Sequence, residues 1–324
     1  MIGHEWAVKM LTEHITQGRL RHAYLFTGPA GVGRRTLAIR LTQAVNCLEP
    51  PSPGEPCRSC RPCTLIEKMN HPDLVVVRVE DENRDVRIYQ IREVLRYLAL
   101  TPYEARFRVA IFHHFEDANR HAANALLKTL EEPPSQVILL LTAESEENLY
   151  PTVVSRCEVV RLRATPVDVI SQGLINQYEV PPEQAQLLAH LSDGRPGQAI
   201  RWHQEPEQLE QRRVLLQDFT NLLKSDHLDR FAYIQSLVKN KEMLNLALQV
   251  WISFWRDVML RAAGAPTPLI NLNWTEEIES VAHQLSLERS FVALLELENI
   301  SGLIERNINA RLAVEVLMLD LPKL

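Results

Sequence analysis

The sequence predicts a doubly wound parallel α/β sheet in its first half and an almost wholly helical second half. Three observations predict it. Apolar runs with the look of buried parallel strands alternate with helical segments up to about Leu162. A glycine-rich turn separates the first strand from the first helix after it. Beyond Leu162 the strand signals stop.

The expected strands are His22–Thr27, Leu74–Val79, Val109–Phe112, Val137–Leu141 and Val159–Leu162. Helices are expected over Thr36–Cys47, over Ile88–Leu98, where Ile88, Ile91, Leu95 and Leu98 keep helical spacing, and over Ala118–Glu132. Pro133-Pro134 stops the last of these, because Pro cannot continue the ladder and restricts the residue before it. Residues 165–205 read as a small helical unit. It holds a helix near Val167–Gln177, a break at Pro181-Pro182, a helix to about Ser192 and a Gly194–Gly197 turn. From 206 to 324 the pattern is helical, with Trp251 and Trp255 one turn apart as expected core.

Composition narrows the function. The chain has 324 residues, with 35 Lys+Arg against 41 Asp+Glu and a net charge of −6. That balance argues against a surface coated for wrapping nucleic acid, while leaving room for a local basic patch. No apolar run approaches the roughly 18 residues of a membrane span. Glu5, Lys9 and Glu13 interrupt the stretch a signal peptide would need, so a cytoplasmic protein is expected.

The turn after the first strand reads Gly28-Pro29-Ala30-Gly31-Val32-Gly33-Arg34-Arg35-Thr36. Strand, glycine loop and helix form the setting of a phosphate-binding P-loop, G-x-x-x-x-G-K-[ST]. Gly28 and Gly33 match, but Arg34 replaces the Lys and Arg35 the metal-holding Ser/Thr. Arg is a planar fork, not the compact point charge of Lys. Thr36 places a hydroxyl one position late, on another helical face. An ATPase also needs an acidic pair closing a later strand. Here Val109–Phe112 ends in His113-His114, and neutral imidazole is a poor Mg²⁺ ligand. Glu116 lies beyond the strand end. The loop reads as a degenerate nucleotide site, with ATP binding weak or absent and no hydrolysis of its own. Binding without hydrolysis, a working site and a plain packing turn are the alternatives.

Cys47-x9-Cys57-x2-Cys60-x2-Cys63 brings four thiols into one segment, with Pro50, Pro51, Pro53, Gly54 and Pro56 between them. Such a stretch suits a knuckle rather than a helix. Four Cys saturate tetrahedral Zn²⁺, so the expectation is a structural zinc site; four unrelated thiols are the bland alternative. Arg58 and Arg61 could balance thiolate charge or touch nucleic acid. Cys157 stands alone and reads as a small buried residue.

The run Ala123-Asn124-Ala125-Leu126-Leu127-Lys128-Thr129-Leu130-Glu131-Glu132-Pro133-Pro134 and the motif Ser155-Arg156-Cys157 resemble the clamp-loader subunits of bacterial DNA replication, members of the AAA+ class. Ile2-Gly3-His4, His22-Ala23-Tyr24-Leu25-Phe26, the four-Cys insertion and Asn307–Leu321 match as well, so the likeness spans nearly the whole chain. It implies an AAA+ domain over 1–164 with a zinc module at about 47–63, a helical lid over 165–205 and a helical collar for oligomerisation over 206–324. Within the family the motor branch, gamma/tau, keeps the P-loop Lys, the Thr and the acidic pair. The delta-prime branch has usually lost hydrolysis yet retains the Ser-Arg-Cys motif, and this chain resembles it.

The resemblance implies roles. Arg156, beside Ser155, would act as an arginine finger on ATP bound by a neighbouring subunit, an effect that reaches about 10³–10⁵ in rate. Gly28, Gly31, Gly33, Arg34, Arg35 and Thr36 would form the degenerate nucleotide loop. Gly197 would stand where active relatives carry a nucleotide-sensing Arg, with Arg195 shifted, and Thr142 is the nearest polar sensor. Lys128 could touch DNA phosphate or pair with Glu131 or Glu132 along its helix. Implied partners are gamma/tau-type and delta-type subunits in a heteropentamer, the sliding clamp and primer-template DNA. Ending at Leu324, the chain is expected to lack tau's long C-terminal extension. Two other readings compete: an autonomous motor of the gamma/tau type, and a zinc-dependent DNA-binding protein unrelated to clamp loading.

Overall fold

A computed structural model describes residues 1–78, 88–305 and 309–323. The first compact unit comprises 1–170 and 194–198. Its elements are α1 (Glu5–Thr16), β1 (Ala23–Thr27), α2 (Arg34–Asn46), α3 (Arg61–Glu67), β2 (Leu74–Val77), α4 (Ile88–Leu98), β3 (Arg108–Phe112), α5 (Arg120–Glu131), β4 (Val137–Ala143), α6 (Pro151–Val154) and β5 (Glu158–Arg161). The strands form one sheet in the order β2-β3-β4-β1-β5, and every pairing is parallel.

Every residue of β1, β3 and β4 is buried, which is why these strands read as unbroken apolar runs. Alternate side chains feed two cores. Leu25, Ala110, Phe112, Leu139 and Leu141 face Ile91, Leu98, Ala122, Leu126, Leu130 and Val153 of α4, α5 and α6. Tyr24, Phe26, Val109, Ile111, Ile138 and Leu140 face Ala7, Leu11, Leu37, Leu41, Val45 and Ile66 of α1, α2 and α3. The sheet is thus covered on both sides, as a doubly wound fold requires. In such a sheet ligands bind beyond the carboxyl ends of the strands.

All five expected strands form. The strand expected over Leu74–Val79 is described as far as Val77, and Val79 lies outside the described residues. Helix α2 begins at Arg34, two residues before the expected start, because Gly33 at φ 119° ends the loop. Helix α5 begins at Arg120 rather than Ala118, since the Asn119 side chain caps it by accepting the Ala122 N–H at 3.0 Å. Helices α1, α3 and α6 were not in the expected set.

At the amino ends of β2 and β3, Asp73 is buried and accepts backbone N–H bonds from Tyr103, Glu104 and Ala105. Arg108 adds a 2.9 Å bond to the same carboxylate and lies over the Tyr97 ring at 4.3 Å. Burial opposes ionisation of Asp73, but these donors outweigh it and hold its carboxyl at about 2.

The second unit comprises 171–193 and 199–324. It is built from most of α7 (Val167–Tyr178), α8 (Pro182–Leu191), most of α9 (Pro196–Gln204), α10 (Pro206–Lys224), α11 (His227–Leu237), α12 (Lys241–Ala262), α13 (Thr275–Gln284), α14 (Leu287–Glu305) and α15 (Ala310–Asp320). The turn expected over Gly194–Gly197 is shorter, with Gly197 already in the first turn of α9. Trp251 and Trp255 are fully buried, as their spacing predicts, and Phe219 stacks on Trp251 at 4.7 Å. Buried Arg230 bonds the carbonyls of Leu222, Met318 and Leu321 at 2.9 Å each, placing a cation at the negative ends of α10 and α15. On α15, Val314, Leu317 and Met318 are core, whereas Leu312, Val316 and Leu319 are exposed. Asn307 and Ile308, the first residues of the family-like C-terminal run, lie outside the described residues. Among the described residues no helix is long and apolar enough to cross a membrane.

Candidate functional site

The glycine loop closes the carboxyl end of β1. Gly28, Gly31 and Gly33 all have positive φ. A Cβ on Gly28 would lie 2.2 Å from the Leu162 carbonyl oxygen, so only glycine fits. The Gly31 carbonyl accepts from the Gly197 N–H at 2.8 Å, which brings Gly197 of the expected sensor turn onto the loop. A Cβ on Gly197 would meet that same oxygen. His4 holds the Val32 carbonyl through Nε2 at 3.0 Å, and burial lowers its pKa, consistent with a neutral ring donating.

Arginines, imidazoles and the Glu116 carboxylate stand around the loop. Arg34 is nine-tenths buried, and its Nη1 lies 3.9 Å from Glu116 Oε1. Glu116 Oε1 also accepts from the Glu144 N–H at 3.2 Å and lies 3.4 Å from His114 Nδ1. Burial opposes the charge on Glu116, yet the His114 bond and nearby N–H groups prevail and keep its carboxyl below the usual range. The same bond raises His114. His113 is buried and pushed down to about 4, first by burial and then by Arg35, Arg78, His114 and Arg34. Arg35 is exposed, with Nη2 3.4 Å from the Met69 sulfur. Thr36 is exposed too. The Thr142 hydroxyl accepts the His114 N–H at 3.2 Å and so ties strand ends together. Glu116, the carboxylate that sequence reasoning left beyond the strand, is therefore drawn into an ion cluster with Arg34 and His114.

At the far end of α2 the four cysteines converge. The Sγ atoms of Cys47, Cys57, Cys60 and Cys63 all lie within 4.8 Å of one another. Cys47 and Cys60 are 3.9 Å apart, close to the roughly 3.8 Å edge of a tetrahedron with metal–sulfur bonds of about 2.3 Å. The Cys57 N–H points at the Cys47 sulfur and the Cys60 N–H at the Cys57 sulfur, each at 3.3 Å. The Cys60 N–H is the first cause lowering the Cys57 thiol to about 6, whereas burial raises Cys47 and Cys63. Four convergent sulfurs suit a thiophilic metal and leave no open coordination position. Gly54 packs the module onto Thr12 of α1, where a Cβ would lie 2.9 Å from the threonine methyl. Arg61 pairs with Glu104 at 2.9 Å rather than with the sulfurs.

Arg156 sits in the turn between α6 and β5. Its backbone N–H bonds Val153 O and that of Cys157 bonds Val154 O, both at 3.1 Å. Nε of Arg156 donates to Glu131 Oε1 at 2.9 Å, and Nη1 donates to Thr152 O at 2.8 Å and to Ser155 Oγ at 3.3 Å. Sequence reasoning named Arg156 but missed Glu131 as its partner, since the two are 25 positions apart. Lys128 is exposed and forms no ion pair with Glu131 or Glu132 among the described residues. Cys157 is half-buried rather than fully buried; it packs against the sheet core, and burial raises its thiol to about 12.

Two family profiles match the chain. The one described as "DNA polymerase III, delta subunit" covers residues 3–166, and "DNA polymerase III, delta subunit, C terminal" covers 206–323. DNA polymerase III subunit delta' of Bacillus subtilis is 30% identical over 312 residues, which is 92% of this chain and 93% of that protein. The delta' subunit of Pseudomonas aeruginosa is 34% identical over 207 residues, 63% of this chain and 62% of that protein. DNA polymerase III subunit tau of Escherichia coli is 34% identical over 199 residues, but the match spans 60% of this chain and 30% of tau. A solved gamma subunit-related protein from Thermotoga maritima has the same fold, with a TM-score of 0.50 at 17% identity over 96% of this chain and 97% of that one. The chain belongs to the delta-prime family of DNA polymerase III clamp-loader subunits, with the AAA+ fold.

Proposed function

We propose that this chain is a non-hydrolysing clamp-loader subunit that presents Arg156 to ATP held by a neighbouring gamma/tau-type subunit. The observation that carries the reading is the ion cluster at the strand ends. Where a motor needs oxygen ligands for Mg²⁺, this chain has His113 buried and His114, Glu116 and Arg34 engaged with one another. Among the described residues the strand end offers imidazoles and one carboxylate flanked by Arg34 and His114, a poor set for Mg²⁺. A guanidinium delivered across a subunit boundary needs none of that machinery. It stabilises charge on the transferring phosphoryl group in a site the neighbour supplies. Gly28, Gly31, Gly33, Arg34, Arg35 and Thr36 then shape the loop, and Ser155 steadies Arg156.

Cys47, Cys57, Cys60 and Cys63 would hold a structural Zn²⁺, whose role is to close the loop between α2 and α3. Residues 1–164 act as the AAA+ domain, 165–205 as a lid and 206–324 as a collar. The exposed Leu312, Val316 and Leu319 of α15 support an oligomeric role for the last. The assembly proposed is a heteropentamer with gamma/tau-type and delta-type subunits, acting on the sliding clamp and primer-template DNA.

Reconstitution tests this. In a loader built with motor subunits, Arg156→Ala should cut DNA-stimulated ATP turnover by about a thousandfold at the site it serves, while the ring still assembles. Unchanged turnover sinks the finger role. Magnesium-dependent hydrolysis by the isolated chain would mark it as a motor instead.

A further inference from the structure

Arg156 has five N–H donors, and in this chain four of them are already committed. Nε and Nη2 both donate to Glu131 Oε1, while Nη1 donates to Thr152 O and to Ser155 Oγ. Among the described residues one N–H, on Nη2, has no partner. A guanidinium grips a phosphate best with two parallel N–H bonds, and this one cannot do so without releasing a partner it already has.

The two partners on Nη1 are neutral and belong to the same turn. Glu131 is different. It is the last residue of α5, and the Leu130 carbonyl beside it is held at 2.8 Å by His22 Nε2. Its backbone is thus fixed, and its carboxylate stands at the negative end of a helix dipole, where an acid is disfavoured without a cation beside it. Arg156 supplies that cation. Both side chains are partly solvated, at 32% and 51% exposure, so the pair is weak enough to open.

We propose that Glu131 is a positioning residue that holds Arg156 against its own subunit and competes with the neighbour's phosphate for the same guanidinium edge. The proposal rests on the finger reading above and adds to it a cost of engagement set by this chain. Phosphate must displace the carboxylate before the fork can close. Weakening the carboxylate should therefore speed the neighbour's chemistry.

The test uses the reconstituted loader without DNA, with Glu131→Gln and Glu131→Ala in this subunit. At low salt each variant should raise kcat by about two- to fivefold, with KM unchanged, which is the range an exposed ion pair allows. Screening weakens the pair in the wild type, so the ratio should fall towards one as salt rises from about 0.05 to about 0.5 M. A purely structural role would not give that convergence. Arg156→Ala is run alongside. If it abolishes turnover while both Glu131 variants match the wild type at low salt, or differ from it by a ratio that salt does not change, the competition is refuted and the finger stands. If Arg156→Ala is silent, the finger reading itself falls and this proposal with it.

Discussion

The two ends of helix α2 each carry a polar site of the sheet unit, and the two differ in kind. At its start, the glycine loop keeps its shape, and Glu116 lies between Arg34 at 3.9 Å and His114 at 3.4 Å while Arg34 Nη1 and Glu116 Oε2 stay without a hydrogen-bond partner among the described residues. At its end, Cys47 opens a cluster of four identical donors that have no better partner than a metal ion. The contrast teaches that loop geometry and chemistry are separable. A P-loop is defined by backbone conformation, which survives when the reactive side chains go. A four-thiol cluster has nothing but its side chains, so losing one donor removes the site.

The largest effect expected from breaking this contrast is at the cysteines. Purified protein should carry close to one equivalent of zinc, and Cys60→Ser or chelation should cost on the order of several kcal/mol, read by denaturant unfolding. An apo chain of equal stability would erase the difference between the two ends. Next comes the loop backbone. Gly28→Ala should cost about 1–3 kcal/mol, because its Cβ strikes the Leu162 carbonyl and φ is positive; a neutral substitution would mean the loop is not the rigid element described.

A pH series sharpens the comparison on the loop side. Folding refuses His113 a proton that the unfolded chain accepts near pH 6.5. Stability is therefore full above that pH and falls as pH drops, levelling near the folded value of about 4. Between pH 7 and pH 5 the loss from this group should be about 2 kcal/mol, and His113→Asn should flatten it. His114 works in the other sense, and Glu116 in the same sense but at lower pH. Raised His114 stabilises fully below 6.5 and loses this as pH climbs through its folded value, whereas lowered Glu116 stabilises above 4.5 and loses this as pH falls. A His113→Asn curve as steep as wild type would remove the buried imidazole from the account. The smallest effect belongs to Arg61→Ala. Its pair with Glu104 is solvated, so unfolding should shift by under about 1 kcal/mol, with zinc content intact. Loss of metal there would mean the arginine serves the sulfurs after all.

Much of the framework was legible in the sequence because burial on both faces leaves nothing ambiguous. Strands such as Val137–Ala143 carry no polar alternation to misread, and the C-x2-C-x2-C spacing names its own chemistry. Helix α3 was hidden because it starts inside the cysteine module, at Arg61-Pro62 between Cys60 and Cys63. Helix α1 buries only Ala7 and Leu11 at one-turn spacing, a faint signal. What the sequence withheld altogether were ion pairs across the fold. Glu116 with Arg34, Glu131 with Arg156 and Glu104 with Arg61 join residues that no local pattern links. Helix α15 shows the same limit. Leu312 and Leu317 look alike in a periodic reading, and only packing tells the exposed one from the core.

The Arg61–Glu104 contact has a mechanical meaning. Glu104 also donates its backbone N–H to Asp73, so the knuckle is roped through Arg61 to the amino ends of β2 and β3. The glycine loop lies on the opposite rim, at the carboxyl end of β1. The cysteine module thus adjoins one rim of the sheet while the glycine loop closes the other. Substitutions at the glycine loop and at the cysteine module therefore act on opposite edges of one sheet.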